Sequence, residues 1–327
     1  MQIELIRALQ NLRTPPLTAF FEIITTIGAT QFYVFVLPLL FWWVSTTIGY
    51  RFIVVVLISA YLNSMLKDLG PLFISNQYLF YTTRPFAAYP EQVWTCRRDP
   101  LFDPQAVLAR LCREEESFSF PSGHAQTSLV AWGYLLLTVR RRWFSALAVA
   151  LIVLIGLSRM YLGQHWPTDV LGGWLIGGAL LGGAFYLFSL WRLHPRALNL
   201  VLLTLLLALV PLLLALDDDP TFNRTRALGL LVGSSSGYLA HIRYAKFVVR
   251  AAWSVQILKL AIGALGLGAL QFGLGALLPN MHLAELLLTL LIGLWVTLVA
   301  PLIFGRIWGV PSPPATVRSA DERAPTH

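Results

Sequence analysis

Long apolar runs dominate this 327-residue chain and leave few folds open to it. They fall at about 32–49, 52–69, 124–139, 143–163, 168–190, 198–216, 226–242, 253–277 and 284–305. A helix needs roughly 20 mostly apolar residues to cross a bilayer, because each backbone polar group must be satisfied within the segment. The chain is 57% hydrophobic and 12% charged, with a mean hydropathy of +0.67. A soluble surface cannot be built with so little charge; soluble domains carry about 25%. An ordinary cytosolic globule, a disordered chain and a polar helical solenoid are excluded. The reading that remains is all-α: a polytopic transmembrane helical bundle of about nine spans with a long extracytoplasmic loop.

Four regions follow. Residues 1–31 stop at Pro15-Pro16, continue as an apolar stretch broken by Thr and Gly, and read as an interfacial or re-entrant segment. Residues 32–190 carry the chemically informative motifs. Residues 191–305 add further spans, and 306–327 form a polar, Pro-rich tail expected to be disordered and cytoplasmic. No signal-peptide pattern is expected at the start.

The net charge of +8 sits mostly between the apolar runs, so positive-inside sorting and phosphate binding account for it, and no nucleic-acid partner is expected. With nine spans, Arg140-Arg141-Arg142, Arg192 with Arg196, and Arg243 with Lys246 and Arg250 all fall on one side, which is then cytoplasmic. The acidic run Asp217-Asp218-Asp219 and the long segment 70–123 fall on the other. This parity places the amino terminus outside and the carboxyl terminus inside. Cys96 and Cys112 share that long segment. In an oxidising compartment a disulfide between them would add about 3 kcal/mol; two separate thiols are the alternative.

Polar residues gather at the outer ends of the apolar runs: Lys67, then Arg84-Pro85, then Pro121-Ser122-Gly123-His124, then Ser158-Arg159, and finally His165 with Asp169. One such residue would be snorkelling. Three cations and two histidines at one depth point instead to an oxyanion site. Lys67, Arg84 and Arg159 suit a phosphoryl group and its developing charge. Ser122 and Gly123 open a helix whose amides and dipole favour an anion. Asp169 sits one turn from His165 and suits an orienting carboxylate for a nucleophilic imidazole; His124 suits a general acid. No carboxylate cluster for a divalent metal is visible, and no cofactor is expected. His194, His241 and His282 read as interfacial fillers, and Lys259 and Glu285 as snorkelling side chains.

The stretch from Ser158-Arg159 to His165 and Asp169, together with Pro121-Ser122-Gly123-His124, resembles the third and second motifs of the type 2 phosphatidic acid phosphatase family. Lys67 and Arg84-Pro85 resemble its first. The resemblance covers about 50–190. It implies His165 as nucleophile, Asp169 as its partner and His124 as general acid. Lys67, Arg84, Ser122, Gly123 and Arg159 are implied as phosphate binders, without a metal. The family sets its first-motif Lys and Arg-Pro much closer together; here sixteen residues intervene, from Asp68 to Thr83. Either that insert loops out and both cations line the site, or Lys67 is displaced and structural. The nine-span arrangement is similar to that of glucose-6-phosphatase and sphingosine-phosphate phosphatase relatives.

The expected function is an integral membrane phosphatase acting through a phosphohistidine. Its substrate would be a lipid phosphate or pyrophosphate: polyprenyl pyrophosphate, phosphatidic acid, phosphatidylglycerophosphate or a sphingoid phosphate. The expected location is a bacterial inner membrane with the site on the periplasmic side and membrane lipids around it; an endoplasmic-reticulum membrane with a lumenal site has the same geometry and is the alternative. A phosphotransferase using the same site is the alternative, and a transporter or scaffold a remote one.

Overall fold

A computed structural model describes residues 1–73, 83–95, 117–193, 195–216 and 222–309. Among these residues the chain is helical, without a β-strand. The helices are α1 (Gln2–Asn11), α2 (Pro15–Gly28), α3 (Thr30–Leu39), α4 (Thr46–Phe73), α5 (Pro85–Ala88), α6 (Gly123–Val139), α7 (Arg142–Tyr161), α8 (Pro167–Leu193), α9 (Pro195–Leu216), α10 (Asn223–Tyr244), α11 (Trp253–Gly268), α12 (Gly275–Leu277), α13 (His282–Leu294) and α14 (Ala300–Trp308). Wider π-type turns at Leu40–Val44, Ala269–Leu274 and Trp295–Val299 extend α3, join α11 to α12, and join α13 to α14. Proline at the first helical position opens α2, α5, α8 and α9, where its missing N–H costs nothing.

Each apolar run expected to span is helical. Among the described residues, six segments are long and apolar enough to cross a membrane: Thr46–Lys67, Arg142–Tyr161, Pro167–Trp191, Arg196–Ala215, Trp253–Leu277 and His282–Trp308. Pro15–Gly28 and Phe32–Val44, bent by 54° relative to each other, become a seventh if taken together. The nine expected spans include two helices outside that set. One is α6, with 17 residues. The other is α10, which carries Ser, Thr, Arg and His and buries many of them against its neighbours. A helix enclosed by other helices does not need an apolar circumference.

The first boundary also moves. The chain breaks at Ser45, not near residue 50. Ser45 is extended, its N–H donates to Leu40 O (3.0 Å), and its hydroxyl accepts from Ile48 N (3.4 Å). Gly49 then lies against the Phe41 backbone, where a Cβ would come within 2.5 Å of Phe41 Cα. Arg51, expected in a connection, is inside α4 over the Phe188 ring (5.1 Å).

The main core joins both halves of the chain. Trp42 Nε1 donates to Val296 O (2.8 Å), Tyr50 stacks on Tyr238 (centroids 3.9 Å apart), and Tyr50 Oη donates to Ser235 Oγ (3.1 Å). Lys259 does not snorkel. It is 1% exposed, and its ammonium donates to the carbonyls of Trp42, Val248 and Val249. Glu285 pairs with Arg226 through two bonds, of 3.0 and 3.1 Å, and His282 Nδ1 lies 2.8 Å from Thr225 Oγ1. His241 is buried among Phe41, Tyr238 and Phe247 and is not interfacial. Cys96, Cys112, His194, Asp217-Asp218-Asp219 and the tail beyond residue 309 lie outside the described residues.

Helices α10 and α13 touch backbone to backbone along Gly229, Gly233, Gly237 and Gly293. A Cβ on Gly233 would sit 2.0 Å from Leu290 O, whereas one on Gly178 would meet nothing within 4 Å. Close approach of this kind is how helices gain van der Waals contact where lipid and side chain are equally apolar. Gly233→Leu is expected to destabilise the protein by about 1–3 kcal/mol. Gly178→Leu should leave stability unchanged; thermal unfolding in detergent reads both.

Candidate active site

The site is assembled by three segments and one helix that lie far apart in sequence. α7 ends near Tyr161, and Gly163 turns the chain at φ +69°, a left-handed conformation natural to glycine. A side chain there would also crowd Val93 and the Trp94 carbonyl. The turn delivers Gln164, His165 and Trp166, and Pro167 starts α8 with Asp169 in its first turn.

Asp169 is 1% exposed, and its Oδ2 is the meeting point of three donors. It accepts from Ser119 Oγ (2.5 Å) and Trp166 N (2.9 Å), and faces His165 Nδ1 at 3.4 Å. The Asp169 carbonyl accepts from Ser122 N (3.1 Å), fixing the start of α6 against the start of α8.

His165 is fully buried, and its Nε2 lies 3.1 Å from Arg84 Nη1. A guanidinium donates only. Nε2 therefore accepts, and the ring proton lies on Nδ1, towards Asp169. This assigns the tautomer that leaves Nε2 with its lone pair.

Arg84, 3% exposed, ties the segments together. Its Nη1 also donates to Gln164 O (3.0 Å), its Nε to Ser117 O (2.9 Å) and its Nη2 to Ser117 Oγ (3.1 Å). Lys67 Nζ donates to the same Ser117 hydroxyl at 3.0 Å. Both first-motif cations thus meet at Ser117, despite the long spacing between them. Trp166 Nε1 donates to Thr83 O (2.9 Å) and Phe86 N to Gly163 O (3.2 Å), locking the Arg84 segment onto the His165 loop.

Ser122 caps α6 by accepting from Ala125 N (3.4 Å). Gly123 allows a close approach, but Asn63 makes it: a Cβ there would fall 2.8 Å from Asn63 Oδ1. Asn63 Nδ2 donates to Gln126 Oε1 (2.9 Å), and Gln126 Nε2 to Ser59 O (3.0 Å), joining α4 to α6. Gly173 and Gly177 bring the α8 backbone against Ser122 and Gln126. His124 is half-buried on α6, with its ring beside Gly28 of α2. Arg159, in the last turn of α7, is 4% exposed and donates to Thr25 Oγ1 (2.8 Å).

Lys67, Arg84, Ser122, His165 and Asp169 are joined by these bonds, Gly123 lies against Asn63, and the described side-chain contacts of His124 and Arg159 are to Gly28 and Thr25 of α2. The sequence reading did not single out Ser117, Ser119, Gln164 or Thr25. Ser117 and Ser119 lie just ahead of Pro121, a nearness that a search for cations and histidines passes over. Among the described residues, no three His, Cys, Asp or Glu side chains converge as a metal-binding group.

A helical membrane protein with a buried His–Asp pair ringed by Lys and Arg is the class that fold and site define. Residues 48–193 match the PAP2 superfamily, and residues 225–310 match the PAP2 superfamily phosphatase transmembrane extension. The chain carries a PAP2 superfamily domain followed by that superfamily's transmembrane extension. It is 45% identical over 60 residues to an undecaprenyl-diphosphatase of Sulfolobus acidocaldarius, covering 18% of this chain and 29% of the relative. It is 40% identical over 72 residues to phosphatidylglycerophosphatase B of Bacillus subtilis, covering 19% and 36%. The chain thus spans about a third of the length of these curated relatives. The crystal structure of a PAP2-type phosphatidylglycerolphosphate phosphatase from Bacillus subtilis aligns with a TM-score of 0.42 and 25% identity, over 57% of this chain and 84% of that one.

The Arg84 guanidinium holds both the 117–118 carbonyls and the His165 loop. Hydrogen bonds to charged groups contribute about 1.5–3 kcal/mol each. Arg84→Ala is expected to speed hydrogen exchange across 117–122 at least about tenfold while leaving α10 unchanged, as read by mass spectrometry.

Proposed function

We propose that this protein is an integral membrane lipid phosphatase that works through a phosphohistidine without a metal. The observation that carries the reading is His165, with Nδ1 turned to Asp169 and Nε2 facing Arg84. An imidazole nitrogen with its lone pair exposed to a guanidinium is placed to meet phosphorus once phosphoryl oxygens take up the Arg84 donors. His165 Nε2 attacks phosphorus and the bond to the leaving oxygen breaks. His124 supplies that oxygen with a proton. Water then attacks the phosphohistidine, His124 takes its proton, and inorganic phosphate leaves. Lys67, Arg84 and Arg159 balance the charge on the equatorial oxygens, and the α6 amino terminus at Ser122 and Gly123 adds its dipole.

The substrate in this reading is a lipid phosphate or pyrophosphate whose tail stays in the bilayer while its headgroup enters from the outer face. The relatives named for undecaprenyl diphosphate and phosphatidylglycerophosphate support that class. The cation bias of the connections supports a site on the non-cytoplasmic face and a cytoplasmic carboxyl terminus. Residues 32–190 form the phosphatase core, 191–305 the added helices.

The test is phosphate release by purified protein in detergent with EDTA present. The panel holds polyprenyl pyrophosphate, phosphatidic acid, phosphatidylglycerophosphate and a sphingoid phosphate. Release from at least one lipid is expected, with a loss of about a thousandfold or more in His165→Ala. No release from any of them by folded protein, or full activity in His165→Ala, would overturn the reading.

A further inference from the structure

A wall of residues that precede the family match at residue 48 packs against α7, the helix that carries Arg159. α2 runs along α7 and touches the site from its own side. Thr18 Oγ1 lies 2.8 Å from Tyr161 Oη, and the Phe21 and Tyr161 rings are 4.5 Å apart. Thr25 Oγ1 accepts from Arg159 Nη1 at 2.8 Å, and Gly28 abuts Ile155 and the His124 ring. Positions 18, 21, 25 and 28 form one helix face. α1 braces the outer end of this wall: Gln10 Nε2 donates to Tyr161 O (2.8 Å) and Trp94 O (3.0 Å), and Trp94 N donates back to Gln10 Oε1 (2.9 Å).

Thr25 is 6% exposed, and its bond to Arg159 is buried at both ends. A guanidinium is planar, so fixing one N–H fixes the plane that carries the others. An arginine that must meet an anion in one orientation benefits from an acceptor that is neutral. A carboxylate there would compete with the anion for the same charge; a hydroxyl does not.

We infer that Thr25 is a positioning residue for the phosphoryl site: given the phosphatase reading, its hydroxyl holds Arg159 in the plane that meets the phosphoryl oxygens. Helix α2 bears on the site through Thr25, whereas Thr18, two turns away, packs on Tyr161.

Two isosteric changes separate positioning from packing. Thr25→Val removes the acceptor on Arg159. Thr18→Val removes a bond of equal length on the same helix face, two turns away, without touching Arg159. Thr25→Val is expected to lower kcat and weaken vanadate binding, each about ten- to thirtyfold. Thr18→Val should stay within about twofold of wild type on both, and Thr25→Ser should recover most of the loss. Vanadate binding is measured by calorimetry on folded protein, because it needs no turnover. Wild-type vanadate affinity in Thr25→Val, equal losses in the two valine variants, or no recovery in Thr25→Ser would overturn the inference. Should Thr25→Val not fold, Thr25→Ala takes its place with the same expected losses. Wild type that binds vanadate but releases phosphate from no lipid would sink the hydrolase reading and leave the Thr25 comparison intact. Wild type that binds no vanadate would overturn both.

Discussion

The buried carboxylate of Asp169 is the constraint around which the site is arranged. A carboxylate taken out of water is costly unless donors replace the solvent. Here Ser119, the Trp166 amide and His165 converge on one oxygen. Each donor belongs to a stretch of chain with no regular secondary structure of its own, so satisfying Asp169 also fixes the conformation of 117–121 and 165–166. Arg84 works in the opposite sense. It is a buried cation whose N–H groups are met by the carbonyls of Ser117 and Gln164 and by His165 Nε2. The anion and the cation therefore meet on opposite nitrogens of one imidazole. That is why both the tautomer and the ring orientation of His165 are defined before any substrate arrives.

Such loops need a rigid floor, and glycine provides it. Gly173 and Gly177 let the α8 backbone lie directly on Ser122 and Gln126. Side chains there would push the α6 amino terminus away from Asp169 and break the bond from Ser122 N to the Asp169 carbonyl. The Asn63–Gln126–Ser59 chain then pins α6 to α4, the helix that carries Lys67. Polar pairs of this kind between helices hold register where apolar packing alone is indifferent to sliding.

Much of this was legible in the sequence because the chemistry restricts residue type. Lys67, Arg84, His124, Arg159, His165 and Asp169 stand out as ionisable groups at the ends of apolar runs, where chance placement is costly. The Lys67–Arg84 spacing leaves two arrangements open, since sequence distance does not report where a loop returns; in the structure both side chains donate to the Ser117 hydroxyl. Ser119 and Thr25 were not legible, because hydroxyl residues are common in apolar helices and loops and carry no charge to mark them. Hydropathy alone does not set the span count, for a related reason. Hydropathy counts side chains, while enclosure decides whether a polar helix such as α10 is tolerated. Lys259 does not snorkel because carbonyls are at hand inside: those of Val248 and Val249, in the non-helical stretch ahead of α11, accept at 2.9 Å and that of Trp42 at 3.4 Å.

The carboxyl-terminal extension bears on the site through α4. One face of α4 carries Ser59, Asn63 and Lys67 towards α6 and Ser117. Another carries Tyr50, which stacks on Tyr238 and donates to Ser235 of α10. α10 is in turn clamped to α13 by a glycine seam with no room for a side chain at Gly233. A helix held on both faces cannot rotate about its axis without breaking one set of contacts. Rotation of α4 would carry Lys67 away from Ser117 and Asn63 away from Gly123. The extension therefore bears on the site through α4: by fixing the roll of that helix, it fixes where Lys67 points.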